Sequence, residues 1–208
     1  MLDVSEDDNA EIKLTRENIK SFVLDIFTAG SDSSAATLEW ALAELVNHPE
    51  MLERAKSEID EVIGKDRIVE ESDIQKLHYV QAIVKETLRL HPAAAFAMRE
   101  SINDVRINGY DIPAGCYVFI NIWSVGKDPH YWEDPLEFRP ESGRRVCPGM
   151  NLALHAIHAT LPALIQCFEW KQQDKLDMSE GLGVVIPRAK PIVCVPVARL
   201  DPFPSLTV

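Results

Sequence analysis

The chain has 208 residues, 46% hydrophobic and 26% charged, the proportions of an ordinary soluble globular fold with enough apolar material to build a core. A formal net charge of −12 argues against a nucleic-acid partner and against an electrostatic hold on anionic lipid. Four cysteines without regular spacing, Cys116, Cys147, Cys167 and Cys194, speak against a disulfide framework or a zinc site and suit a reducing compartment.

The first thirteen residues, MLDVSEDDNAEIK, are acidic and polar, with neither a signal-peptide core nor a membrane-spanning run. Thr15 as N-cap, Glu17 in the first turn and apolar residues at Ile19, Phe22, Val23, Ile26 and Phe27 predict a helix. The pattern resumes at Leu38, Ala41, Leu42 and Leu45 and stops before His48-Pro49, so the helix covers residues 15–47. At 1.5 Å per residue it is about 45 to 50 Å long, enough to cross a domain. Between its halves lies AGSDSS, from Ala29 to Ser34. Glycine costs about 1 kcal/mol in a helix interior, and serine hydroxyls bond the preceding turn and bend it. The stretch is either a plain kink or a groove beside a bound cofactor, with an acid and an alcohol placed to relay protons.

Pro49, the apolar residues Leu52, Ala55, Ile59 and Ile63, and Gly64 as a stop mark an amphipathic helix whose charged side is most simply a solvated face. Residues 77–90, LHYVQAIVKETLRL, are helical again and end at His91-Pro92, because the residue before proline avoids the α region. Glu86 and Arg89 lie three apart and can pair. On a surface such a pair contributes only about 0.3 to 0.5 kcal/mol.

Ala93 to Met98 is a short apolar run ending in Arg99, and Asn108-Gly109 between β-prone runs is a hairpin signal, with Cys116 to Ile120 as a following strand. WSVGKDPHYWEDPLEFRPE, rich in Trp, Tyr, Pro and Asp, reads as irregular packed chain. Mainly helix with small β-sheets, an α+β class, is therefore expected.

SGRRVCPG, residues 142–149, sets a cysteine between paired arginines and a Pro-Gly step at the mouth of a further helix, residues 150–168. Helix N-termini and neighbouring guanidinium groups favour a thiolate, so Cys147 should ionise easily. An isolated cysteine in a turn is otherwise a buried structural one, but Arg144 and Arg145 weigh against that. Gly143 and Gly149 let the backbone approach something flat and bulky. Pro162 should kink the following helix near its end, and His155 and His158, without a third partner, belong to packing or surface. The tail, GLGVVIPRAKPIVCVPV, has two β-prone runs interrupted by prolines and is expected to form an edge hairpin.

Four of these stretches in this order, AGSDSS, KETLRL, FRPE and SGRRVCPG, resemble the cytochrome P-450 haem-thiolate monooxygenases, and the match covers the chain from Thr15 onward. The resemblance implies the C-terminal part of that fold, one partial domain. It implies haem b, with Cys147 as the axial iron ligand whose electron donation favours O–O cleavage. By the same resemblance Arg145 pairs with a haem propionate, and Gly149 belongs to the cofactor loop. Arg99 is either a second propionate partner or an exposed strand arginine. Asp32 and Ser33 become the proton-delivering acid and alcohol; most members carry Thr where Ser33 stands. Glu86 and Arg89 become a buried brace for the cysteine loop, structural and not catalytic. Residues 93–98 would line the substrate pocket, and 181–185 would reach over it.

The implied activity is insertion of one oxygen atom from O2 into a small apolar aromatic substrate, with electrons from NADPH through a reductase. The wording of GYDIP, NIWSVGKDP and PRAKPIVCVPV narrows this towards plant enzymes that modify flavonoids, isoflavonoids and pterocarpans. Plant members are much longer and sit on the cytoplasmic face of the endoplasmic reticulum through an N-terminal anchor, whereas this chain, without that anchor, is expected to be cytosolic.

One departure from the pattern stands out. In the family FRPE runs on into Arg-Phe, a loop and a Phe-Gly pair, but here Glu141 is followed directly by Ser142. The arginine that completes a triad with Glu86 and Arg89 is therefore absent, Arg139 not being its equivalent, and a mis-spliced transcript or imperfect gene model is expected. The competing reading, and the one expected for this exact polypeptide, is a truncated, non-catalytic fragment unable to retain haem. A thiol enzyme using Cys147 as nucleophile lacks a convincing base.

Overall fold

The computed structural model describes residues 15–140, 151–171, 174–183 and 185–200. Helix α1 (Arg16–Asn47) begins in a capping box, in which Asn18 N–H donates to Thr15 Oγ1 at 3.1 Å and Thr15 N–H to Asn18 Oδ1 at 3.0 Å. It runs unbroken through Gly30. Ser33 Oγ donates to Ala29 O at 2.5 Å and Thr37 Oγ1 to Ser33 O at 2.8 Å, so two hydroxyls are returned to the helix's own carbonyls.

Helix α2 (Pro49–Val62) starts with proline at its first position and buries Leu52, Ala55 and Ile59. A 3-10 turn (Glu71–Lys76), not anticipated from the sequence, leads into α3 (His78–Leu90). The N-terminus of α3 is capped from α2: Tyr79 and Val80 N–H donate to the two Glu58 carboxylate oxygens at 2.7 and 3.0 Å.

Strand β1 (Phe96–Glu100) pairs antiparallel with β4 (Tyr117–Asn121) and encloses the hairpin of β2 (Val105–Ile107) and β3 (Tyr110–Ile112). Asn108 and Gly109 turn that hairpin with φ of 52° and 86°, the left-handed pair that the Asn-Gly step supplies. A short helix α4 (Ile122–Gly126) opens the stretch read from sequence as irregular. It is held at its start by Asn121 Oδ1, which accepts from Ser124 N–H at 2.9 Å.

Helix α5 (Asn151–Cys167) stays helical through Pro162 and packs on α1, α2 and α3. The core is their common ground, with Ala41, Leu45, Ile59, Ile83, Leu161 and Ile165 all fully buried. Two expectations are corrected here. The last helix stops at Cys167, and Phe168 instead opens β5 (Phe168–Lys171). Among the described residues the two β-prone runs of the tail do not pair with each other: β6 (Val195–Ala198) pairs with β5, and residues 179–181 fold back on 187–189 through the Glu180–Arg188 bridge and main-chain bonds from Gly181 N–H to Pro187 O and from Ala189 N–H to Ser179 O. Local β-propensity could not choose between these partners, because pairing is decided by which edge α5 delivers to the tail. None of the helices among the described residues is long and apolar enough to cross a membrane.

Candidate functional site

The Glu86–Arg89 pair lies one turn apart on α3, and both side chains are buried, at 0% and 7% exposure. Arg89 Nε donates to Glu86 Oε2 and Nη2 to Oε1, each at 2.8 Å, a two-pronged guanidinium–carboxylate contact. Its other three N–H donors go to main-chain carbonyls: Gly126 O at 2.7 Å, Pro135 O at 2.8 Å and Glu137 O at 2.8 Å. All five donors are thereby used. Glu86 Oε1 accepts a further bond from Arg139 N–H at 2.8 Å, and the Trp132 ring lies 5.0 Å from the Arg89 guanidinium carbon. Two side chains of α3 thus fix residues 126–139, the stretch that precedes the cysteine loop in sequence.

Arg139's own guanidinium turns away to Asp134 at 2.7 Å, so it adds no second cation to Glu86. Gly126, which sequence reasoning passed over, is required at this spot. A Cβ there would stand 2.3 Å from Arg89 O, inside any permissible contact.

Of the other expected site residues, the described ones, Asp32, Ser33 and Arg99, are not bonded to this brace. Cys147, Arg145 and Gly149 lie outside the described residues. Asp32 is exposed and Ser33 half-buried on α1, where no buried residue occurs before Ala36. Around them Phe22, Leu24 and Phe27 are exposed, and a Cβ at Gly30 would meet nothing within 4 Å. Arg99 is exposed on β1, its Nη1 donating to Met98 O at 2.8 Å. His155 faces Glu71 at 3.2 Å, and His158 is half-buried, with burial first and the Lys85 and His155 charges next holding its pKa below 6.5. Burial pushes the Cys167 and Cys194 thiols up, the opposite of what a thiolate ligand needs.

A second buried polar group was not anticipated. His91, at the end of α3, stacks on Trp40 with centroids 3.9 Å apart and 4° between planes, and meets Glu44 Oε1 through Nε2 at 2.6 Å. Trp40 Nε1 donates to Ile186 O at 3.0 Å, which ties the tail to the same place. The spacing of Trp40 and Glu44, one turn apart on α1, was the available signal. A groove of about 870 Å³ runs beside them, lined among others by His48, Phe138, Arg139 and Glu180.

A family model described as "Cytochrome P450" matches residues 1–195. A soybean (Glycine max) protein named cytochrome P450 93A2 is 52% identical over 232 residues, covering 99% of this chain and 46% of the relative. Another soybean protein, 3,9-dihydroxypterocarpan 6A-monooxygenase, is 50% identical over 232 residues, with 99% and 46% covered. Both alignments are longer than the 208 residues available here, so these relatives carry residues within the matched span that this chain skips. Among solved structures, a zebra fish cytochrome P450 with progesterone superimposes with a TM-score of 0.82 at 27% identity, covering 89% of this chain and 47% of that one. The chain spans just under half the length of the relatives it matches. With a family model covering nearly all of it and relatives of this identity, the chain belongs to the cytochrome P450 family.

Proposed function

We propose that the protein carrying this chain is a haem-dependent monooxygenase that inserts one oxygen atom from O2 into a small apolar aromatic substrate. Haem b, when bound, supplies the oxygen-activating iron, with electrons from NADPH through a reductase. The observation that carries the reading is the Glu86–Arg89 brace, three of whose five bonded donors fix the stretch that precedes the cysteine loop in sequence. The face of α1 suits a flat apolar group: it is largely apolar, open at Gly30, and notched by the Ser33 hydroxyl.

Cys147 would hold the iron, Arg145 would neutralise a propionate, and Gly149 would keep the loop backbone close. Arg99 is exposed and bonded to the adjacent Met98 carbonyl, a bond it can exchange for a second propionate. Asp32 and Ser33 would move protons. The Ser33 hydroxyl, parked on Ala29 O, can rotate away to donate, but lacks the methyl that would restrict its rotamer. The name of the pterocarpan monooxygenase relative supports a flavonoid-like or pterocarpan-like substrate. A full-length protein of this kind would work on the cytoplasmic face of the endoplasmic reticulum.

A second reading is favoured by two observations: the bare face of α1, and alignments longer than the chain. On it this polypeptide is a fragment that does not retain haem. The residues it skips fit the direct join of Glu141 to Ser142. Expression with haem of this chain, and of a version with the relatives' extra residues restored, separates the two by the reduced carbon monoxide difference spectrum. A thiolate-type band in both supports the enzyme reading for this chain. A band in the restored form alone supports the fragment, and none in either overturns the haem assignment.

A further inference from the structure

The tail between Met178 and Ala189 is tied to the helices at three places, and the three meet around His91. Trp40 Nε1 donates to Ile186 O at 3.0 Å, and the Trp40 ring lies on the His91 ring at 3.9 Å. Ile186 N–H donates to Ala93 O at 3.0 Å, two residues beyond His91. Glu180 accepts from Trp123 Nε1 and from Lys127 Nζ, each at 2.9 Å, and lines the same groove as His91. Gly181 N–H donates to Pro187 O at 2.8 Å and Ala189 N–H to Ser179 O at 2.9 Å, which closes this part of the tail on itself.

Trp40, Glu44 and His91 are all interior, at 1%, 5% and 7% exposure. His91 Nε2 meets Glu44 Oε1 at 2.6 Å, while Nδ1 is buried without a partner. A charge on this ring is poorly screened, so it reaches its neighbours with more force than it would in water. Burial pushes the Glu180 carboxyl up, but bonds from Trp123 and Lys127, and then the charges of Lys127 and His91, outweigh it and hold its pKa below the ordinary value. Imidazole is the side chain whose own charge changes between about pH 5 and 8.

We infer that His91 is a pH-sensitive latch on this part of the tail: protonated, it attracts both the Glu44 carboxylate of α1 and the Glu180 carboxylate of the tail; neutral, it keeps its bond to Glu44 and releases its hold on Glu180. The inference needs neither haem nor substrate. Linkage makes it reciprocal, so if the proton on His91 favours the closed tail, lowering the pH closes it. The other charges here do not reproduce the effect. Lys127 and Arg188 stay charged throughout this range, as lysine and arginine do. Lys127 therefore holds Glu180 equally at either end of it. Arg188, 5.8 Å from the Trp40 ring centroid, opposes a charge on His91, and the latch acts against that repulsion. His48 meets Glu44 Oε2 at 3.4 Å, at the end of α1 and away from the tail's own bonds. Glu137 and Arg139 line the groove from the stretch pinned by Arg89, and α2 gives it only Met51.

The test follows main-chain hydrogen exchange of the 178–189 peptide by mass spectrometry, in the full protein carrying this chain, at about pH 5.5 and about pH 8, corrected for the intrinsic rate. Protection should be at least about fivefold greater at the lower pH, the low end for coupling between linked sites. The neutral burial of His158 cannot imitate this, since it weakens the fold as pH falls. His91→Phe keeps a ring against Trp40 but cannot titrate, and Glu180→Gln keeps an oxygen for Trp123 and Lys127 but drops the charge. Both should abolish the difference, whereas His48→Gln should keep it. Circular dichroism establishes that each variant is folded, and if His91→Phe is not, Glu180→Gln and His48→Gln decide. Equal or weaker protection at the lower pH in the parent overturns the inference. So does a difference that persists in Glu180→Gln, or one that vanishes in His48→Gln.

Discussion

Arg89 and Gly126 hold each other in both directions: the Arg89 guanidinium donates to Gly126 O at 2.7 Å, while Arg89's own carbonyl lies 2.3 Å from where a side chain at 126 would begin. The close approach that lets the bond form is the one that excludes a Cβ. Gly126→Ala should therefore cost about 2 to 3 kcal/mol by forcing α3 and α4 apart. Gly30→Ala, in the middle of α1 with nothing within 4 Å of the new methyl, should instead stabilise by about 0.5 to 1 kcal/mol. Urea unfolding of the two variants, read by far-ultraviolet circular dichroism, should move the midpoint in opposite directions. A neutral Gly126→Ala would mean that the brace is looser than its distances.

Removing Arg89 strips a buried carboxylate of its cation and leaves three carbonyls without a donor. Arg89→Ala should cost about 3 to 5 kcal/mol. Arg89→Lys keeps the charge but offers three donors in place of a five-donor fork, and should recover only part of the loss. Replacing both partners, as in Glu86→Leu with Arg89→Met, should not restore stability, although this often works for isolated buried pairs. Here the main-chain groups of Gly126, Pro135, Glu137 and Arg139 would all lose their partners. Chemical denaturation of the three variants checks the ordering; a double variant as stable as the parent would reduce the brace to a simple ion pair.

The Glu44–His91 contact is another buried commitment, closed by the Trp40 ring. Glu44→Ala leaves the buried His91 Nε2 without its partner and should cost about 1 to 3 kcal/mol. Glu44→Gln keeps an oxygen for that nitrogen and should cost about 1 kcal/mol or less. Trp40 fluorescence during unfolding reports on both, since loss of the stacked His91 changes the ring's surroundings. Equal losses in the two variants would show that the carboxylate's charge, and not its bond, is what matters.

Much of this was legible in the chain because the signals are local. Thr15 three residues before a side chain that can answer it, Pro49 at a first turn, Asn108-Gly109 and His91-Pro92 each fix a boundary through backbone geometry within four residues. The ExxR spacing located Glu86 and Arg89, but nothing nearby could announce that Arg89 would find carbonyls 37 to 48 residues away. Gly126, the Trp40–Glu44–His91 group and the β5–β6 pairing were missed for the same reason: each is defined by segments that meet only after the helices pack. Ser33 was legible by type and place, while the bond of its hydroxyl back into its own helix was not.

Two titrations should leave separate marks on stability. Asp73, 2% exposed, accepts from Arg67 at 2.6 and 2.9 Å and from Glu70 N–H at 3.1 Å, and the Arg67 bonds above all lower its pKa to about 2. Because the folded carboxyl binds its proton more weakly than the unfolded one, near 3.9, its stabilisation is complete above about pH 4 and is lost as pH falls towards 2. Arg67 is 44% exposed, so screening reduces the contribution to about 1 to 2 kcal/mol. Asp73→Asn should lose that amount at pH 7 and approach the parent near pH 2. His158 acts higher on the scale, since burial and then the charges of Lys85 and His155 keep it neutral in the fold. The unfolded chain protonates it near 6.5, so stability falls as pH drops through that value towards the lowered folded one. His158→Leu should flatten this second decline and leave the acid limb of Asp73 in place. Urea midpoints measured from pH 2 to pH 8 for parent and both variants decide it; an unchanged slope just below pH 6.5 in His158→Leu would assign that decline to another group.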